Sequence, residues 1–113
     1  MGCIFCDIIA GKIPADIVYQ DDDVLAFRDI SPQAPTHILI IPKRHIASLA
    51  ELTEADSPLI GHMVATANKL AQDEGIADNG YRVAVNCGEW GGQVVLHLHM
   101  HLLGGRRLAG NLG

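Results

Sequence analysis

The sequence predicts an α+β domain: a five-stranded, mainly antiparallel sheet with one long helix and one short one. Three observations predict it. The β-branched run His37-Ile38-Leu39-Ile40-Ile41 is stopped by Pro42. A longer stretch, from Ser57 or Pro58 to about Glu74, places Leu59, Met63, Ala67, Leu70 and Ala71 on one helical face. From about Val94 to Leu103, apolar and polar residues alternate with the period of a strand.

The elements follow in chain order. Cys3–Ala10 carries Ile4, Ile8 and Ile9 at helical spacing and meets Gly11, so a short helix is expected there. Ile17–Gln20 and Val24–Arg28 are apolar runs parted by Asp21-Asp22-Asp23, the pattern of a hairpin. Pro32 and Pro35 mark a loop that leads into the run at 37–41. Pro58 suits the first turn of the long helix and Gly75 ends it. Tyr81–Asn86 alternates as a strand, and Cys87–Gln93 is a loop rich in glycine.

Composition bounds what such a domain can do. The chain has 113 residues, 49% hydrophobic and 19% charged, which suits a single domain over 1–113 with one modest core. A formal net charge of -5 and the lack of any basic run exclude non-specific nucleic-acid binding; Lys43-Arg44 and Arg106-Arg107 are only pairs. No apolar stretch approaches the roughly 20 residues that cross a bilayer, so no membrane role is expected. The start of the chain lacks the pattern of a secretion signal, and a myristoylation site would want Ser or Thr where Cys6 stands. Three cysteines, an odd number, do not make a secreted disulfide framework. A cytoplasmic protein is expected.

The chemistry concentrates in His97, His99 and His101. Alternation on a strand puts the three on one face, roughly 7 Å apart in succession, with Leu96, Leu98, Met100 and Leu102 on the other. A merely wet sheet face is the plain alternative, but Thr, Lys, Glu and Ser are the usual residues there. A three-histidine metal site is awkward, because positions i, i+2 and i+4 on one strand lie along a line. Cys3-Ile4-Phe5-Cys6 has the spacing of a zinc half-site; a redox motif or two ordinary buried cysteines are its rivals. Cys87 has no partner in sequence and reads as a buried small residue, and His62 reads as a structural residue near the apolar stripe of the long helix.

His97-Leu98-His99-Met100-His101-Leu102-Leu103 matches the His-φ-His-φ-His-φ-φ signature, with φ apolar, of the histidine triad family. Asp29-Ile30-Ser31-Pro32-Gln33-Ala34-Pro35-Thr36-His37, Ile41-Pro42-Lys43-Arg44-His45, Gly91-Gly92-Gln93 and Leu103-Gly104-Gly105-Arg106 resemble its purine nucleoside phosphoramidase branch, nearly end to end. The resemblance implies transfer of a nucleoside monophosphate to His99 and then to water. It implies that His101 and His37 stabilise the phosphoryl oxygens, and that a carbonyl near His97 fixes the tautomer of His99. Asp29 would take the ribose hydroxyls, and Asn86 would donate to phosphate or ribose, unless it only stabilises a turn. Gly92 and Gln93 would bring main-chain N–H groups to the phosphate. Ile4, Phe5, Ile8, Phe27 and Ile30 would line a purine slot; without the resemblance they read as core.

Two positions depart from the family pattern. Val94 stands where Ser or Thr commonly donates to the phosphate or leaving group, a loss of about 0.5–1.5 kcal/mol. Leu96 stands where an aromatic residue is frequent. The resemblance also implies a structural Zn²⁺ held by Cys3, Cys6, His45 and His97, and a homodimer whose sheet continues across the interface. Three functions are therefore weighed: a purine nucleoside phosphoramidase, a purine-nucleotide-binding or interaction module with weak catalysis, and a dinucleoside polyphosphate hydrolase. The ending after Arg107 and the Gly-Gly pair fit the first best.

Overall fold

The computed structural model describes residues 2–112. Five strands form one sheet: β1 (Ile17–Gln20), β2 (Val24–Arg28), β3 (Thr36–Pro42), β4 (Tyr81–Val85) and β5 (Met100–Gly104). Their order is β1-β2-β3-β5-β4 and each neighbouring pair is antiparallel. Helix α1 spans Ile4–Ile9 and helix α2 spans Ser57–Asp73. Two 3-10 turns, Leu49–Glu51 and Glu54–Asp56, lead into α2.

The pleat sorts the core into two layers. Val24, Ala26, Ile38, Ile40, Met100 and Leu102 face α2 and pack with Met63, Ala67, Leu70 and Ala71. Leu25, Phe27, Leu39 and Ile41 face the other way and pack with Phe5 and Ile8 of α1. Strand β3 is buried along its whole length because both faces are covered, which is why its sequence is a continuous apolar run. Each large side chain withdrawn from water, Met63 among them, contributes about 1.5–3 kcal/mol.

Both helices end as their sequences indicate. Gly75 takes φ +74°, its N–H meets the Gln72 carbonyl at 3.1 Å, and the Ile76 N–H meets that of Ala71 at 3.0 Å. Gly11 repeats the pattern after α1, with bonds from Gly11 to Ile8 and from Lys12 to Asp7. The Asp21 carboxylate closes the β1–β2 hairpin by accepting from the N–H groups of Asp23 and Val24 at 2.8 and 2.9 Å.

The last strand corrects the sequence reading. β5 begins at Met100, not near Val94, so His97 and His99 precede it. Long-range bonds displace the segment: the Leu98 N–H donates to the Ile46 carbonyl at 2.7 Å, and the Gln93 amide donates to the Ala47 carbonyl, with a local bond to that of Val95. The three histidines therefore do not share one strand face, and Leu96 is 66% exposed instead of joining Leu98, Met100 and Leu102. Strand β4 likewise stops at Val85, one residue short of Asn86.

Candidate active site

The site forms on the sheet face opposite α2. In the β3–β5 register His37 pairs with Leu103 and Leu39 with His101, so His37 and His101 are diagonal neighbours on that face. Their rings are 5.2 Å apart between centroids, and His99 lies 5.1 Å from His101.

Hydrogen bonds assign the proton on each ring. The Gln33 main-chain N–H donates to His37 Nδ1 at 3.0 Å, so that nitrogen carries a lone pair and neutral His37 bears its proton on Nε2. Nε2 lies 2.9 Å from His101 Nδ1 and 3.5 Å from Asp29 Oδ2. Donation from His37 to His101 leaves the His101 proton on Nε2. His99 works the other way: its Nδ1–H donates to the His97 carbonyl at 2.7 Å, which leaves Nε2 with a free lone pair. The cluster thus holds a nucleophilic nitrogen next to a fixed N–H donor.

Burial keeps the donors neutral. Desolvation pushes His101 down to about 4, helped by the nearby His99 and His37 rings and opposed by Asp29. His37 is lowered for the same first reason, with Asp29 again opposing. Asp29 itself is anchored by a 2.8 Å bond from the Ser31 N–H to its Oδ1.

His97 turns away into a second cluster. Its ring is fully buried, and Nε2–H donates to the Pro42 carbonyl at 2.9 Å, which leaves Nδ1 as an open donor atom. That atom lies 3.3 Å from Cys3 Sγ, 3.6 Å from Cys6 Sγ and 3.1 Å from His45 Nδ1; Cys6 Sγ is 3.3 Å from His45 Nδ1. Tetrahedral zinc, with bonds of about 2.3 Å to sulfur and about 2.0–2.1 Å to nitrogen, needs separations of about 3.3–3.8 Å. The sulfur–nitrogen separations fall in this range, the nitrogen–nitrogen separation lies just below it, and the donor chemistry of the four residues suits a metal ion.

The glycine loop is bound largely to itself. The N–H groups of Gly92 and Gln93 donate to the Glu89 and Gly88 carbonyls, so they are not the free phosphate donors expected from sequence. The Asn86 amide donates to the Gly91 carbonyl at 2.8 Å, the turn-stabilising alternative. Gln93 is buried and its Oε1 accepts from Gly88 N–H at 2.9 Å. Val94 is 89% exposed. Of the expected purine slot, Phe5, Ile8 and Phe27 lie in the packed layer under α1, whereas Ile4 is half-exposed and Ile30 is 97% exposed.

Sequence reasoning missed the Gln33 N–H and the Pro42 carbonyl, since main-chain groups leave no residue signature. His62, read as structural, bonds Asp21 Oδ2 at 2.6 Å and ties α2 to the hairpin. Among the described residues no helix is long and apolar enough to cross a membrane.

Comparison with known proteins extends this picture. Residues 10–108 match the family described as the HIT domain. The chain is 56% identical over 105 residues to the purine nucleoside phosphoramidase of Escherichia coli K12, covering 93% of this chain and 88% of that protein. The crystal structure of an HIT family hydrolase from Legionella pneumophila Philadelphia 1 superposes with a TM-score of 0.97 at 51% identity, covering 99% of this chain and all of that one. A Zn-bound histidine triad family protein from Mycobacterium smegmatis superposes with a TM-score of 0.81 at 30% identity, covering 100% of this chain and 81% of that one.

Proposed function

The chain belongs to the HIT domain family, and on that premise we propose that it hydrolyses purine nucleoside phosphoramidates through a nucleotidylated His99. One observation carries the reading: the 2.7 Å bond from His99 Nδ1 to the His97 carbonyl, which leaves the Nε2 lone pair free for attack. In the first step Nε2 attacks the α-phosphorus, the phosphorus–nitrogen bond breaks and the amine leaves with a proton taken from solvent, which is made good by the proton that the attacking water gives up in the second step. In the second step water attacks the same phosphorus, and the nucleoside monophosphate departs from His99. Splitting the reaction through a covalent intermediate lowers each barrier.

His101 supplies a neutral Nε2–H donor to the phosphoryl oxygens, in a site whose burial strengthens the bond, and His37 assists by donating to His101 Nδ1 and so fixing that proton on Nε2. Asp29 takes the ribose hydroxyls. Ile4 and Ile30 offer exposed apolar surface to the purine over a floor of Phe5, Ile8 and Phe27, with Asn86, Gly92, Gln93 and Val94 bounding the phosphate side. A structural Zn²⁺ on Cys3, Cys6, His45 and His97 would have all four positions filled, so it would supply folding energy rather than chemistry. A homodimer built on the edge of β4, an outer strand of the sheet, and a cytoplasmic location, with which three free cysteines are consistent, belong to the same reading.

The lack of a hydroxyl at Val94 favours a second reading, a nucleotide-binding module with weak catalysis. Turnover of adenosine 5′-phosphoramidate separates the two. Release of AMP by the wild type and its loss in His99→Ala support the hydrolase; tight AMP binding with no release supports the module.

A further inference from the structure

Phe5 occupies a position that a wall of a purine slot does not explain. Its ring lies between two histidines, with centroids 5.2 Å from His99 and 5.9 Å from His97, at interplanar angles of 85° and 71°. Near-perpendicular contact of this kind is a favoured arrangement of rings. Phe27 closes the third side at 5.4 Å, and only 6% of Phe5 is exposed. The His99 imidazole is thus held at one nitrogen by the His97 carbonyl and along its face or edge by Phe5.

The backbone under Phe5 is fixed by its neighbours. Cys3 and Cys6 flank it in sequence, and their sulfurs meet the His97 and His45 rings. The Cys6 N–H bonds Cys3 Sγ at 3.3 Å, so the first turn of α1 is closed on that cluster. A helix of six residues has little stability of its own, so these contacts and the apolar layer hold it in place.

We propose that Phe5 is a positioning residue for His99: it stops the imidazole from rotating out of line and so keeps Nε2 aimed at phosphorus. The proposal rests on the reading of His99 as nucleophile. It is separable from the contact Phe5 makes in the purine floor, because positioning acts on the rate of the chemical step and that contact acts on affinity. A nucleophile displaced by about 1 Å can lose on the order of a hundredfold in rate.

The test compares wild type, Phe5→Leu and Phe5→Tyr with adenosine 5′-phosphoramidate. Phe5→Leu is expected to lower kcat by about tenfold to a hundredfold, beyond any change in KM and in the dissociation constant of AMP. Phe5→Tyr, which keeps the ring, restores most of kcat. A rise in KM at unchanged kcat overturns the proposal and leaves Phe5 a purine contact only. Nitrogen-15 correlation spectra of the His99 ring give a second readout. A single Nδ1–H tautomer in wild type and a mixture in Phe5→Leu support the proposal; an unchanged spectrum overturns it. If Phe5→Leu does not fold, Phe5→Met takes its place with the same outcomes. If the wild type turns over no phosphoramidate, the proposed function fails, while the ring spectra still decide whether Phe5 holds His99.

Discussion

The main-chain carbonyl of His97 accepts the Nδ1–H of His99 at 2.7 Å, while the ring of the same His97 faces Cys3, Cys6 and His45. One residue therefore belongs to both clusters, its backbone to the candidate nucleophile and its side chain to the candidate metal centre. The predictions below follow from that arrangement and from its surroundings.

Metal analysis of untagged protein is expected to give about one zinc per chain. Chelation, or Cys3→Ser with Cys6→Ser, should lower Tm by about 10 °C, because an ion bound only by the folded state stabilises it. A metal content near zero in metal-replete protein, with Tm unmoved by the substitutions, would contradict this.

His101 is held near 4 by burial, below the ordinary histidine value near 6.5. The sign follows directly: below pH 6.5 the unfolded chain binds a proton that the folded site refuses. Its contribution to stability is therefore complete above pH 6.5 and lost as pH falls toward about 4. His37, also lowered, adds in the same direction. Asp21, Asp56 and Glu74 are lowered as well, and their contributions are lost only in more acid solution. Histidine ring resonances followed against pH should show the His101 midpoint near 4, and urea midpoints should decline from pH 6.5 downward. A His101 midpoint near 6.5 would contradict the burial argument.

A side chain at position 91 has no room. A Cβ on Gly91 would lie 2.2 Å from the Cys87 carbonyl oxygen, so Gly91→Ala must distort the loop that Asn86 and Gln93 close. The expected cost is about 1–3 kcal/mol, with weakened AMP binding and an intact far-ultraviolet spectrum. Unchanged affinity and stability would show that the loop moves aside freely.

Val94→Ser adds a hydroxyl at an exposed position and should leave stability unchanged. It is expected to raise kcat/KM on a phosphoramidate by about twofold to tenfold, the worth of one hydrogen bond. No gain would mean that a donor at position 94 does not reach the reacting groups.

Much of the fold was legible because its determinants are local. Pro58, the apolar stripe from Leu59 to Ala71 and Gly75 define α2, and Asp21 with Asp23 defines the hairpin turn. Thr53 and Asp56 carry a capping box whose signal went unread, and the turn at Glu54–Asp56 follows from it. The start of β5 was not legible: alternation from Val94 onward is real in sequence, but the Leu98–Ile46 bond that ends the strand there joins residues far apart in the chain. The same holds for the cysteine–histidine cluster, which unites residues 3, 6, 45 and 97. Cys3-x-x-Cys6 announces half of such a site, and only the resemblance to a known family pointed to its other half. The proton assignment on His37 and His101 depends on the Gln33 N–H, a group every residue but proline has.

The central claim is that His99 becomes covalently nucleotidylated. The direct measurement is mass spectrometry of protein quenched within the first turnover of adenosine 5′-phosphoramidate. The expected result is one adenylyl group on the peptide containing His99, formed as fast as the amine is released, decaying with AMP release, and absent in His99→Ala. Equal turnover by His99→Ala, or AMP release by wild type with no adduct at any time, would contradict it.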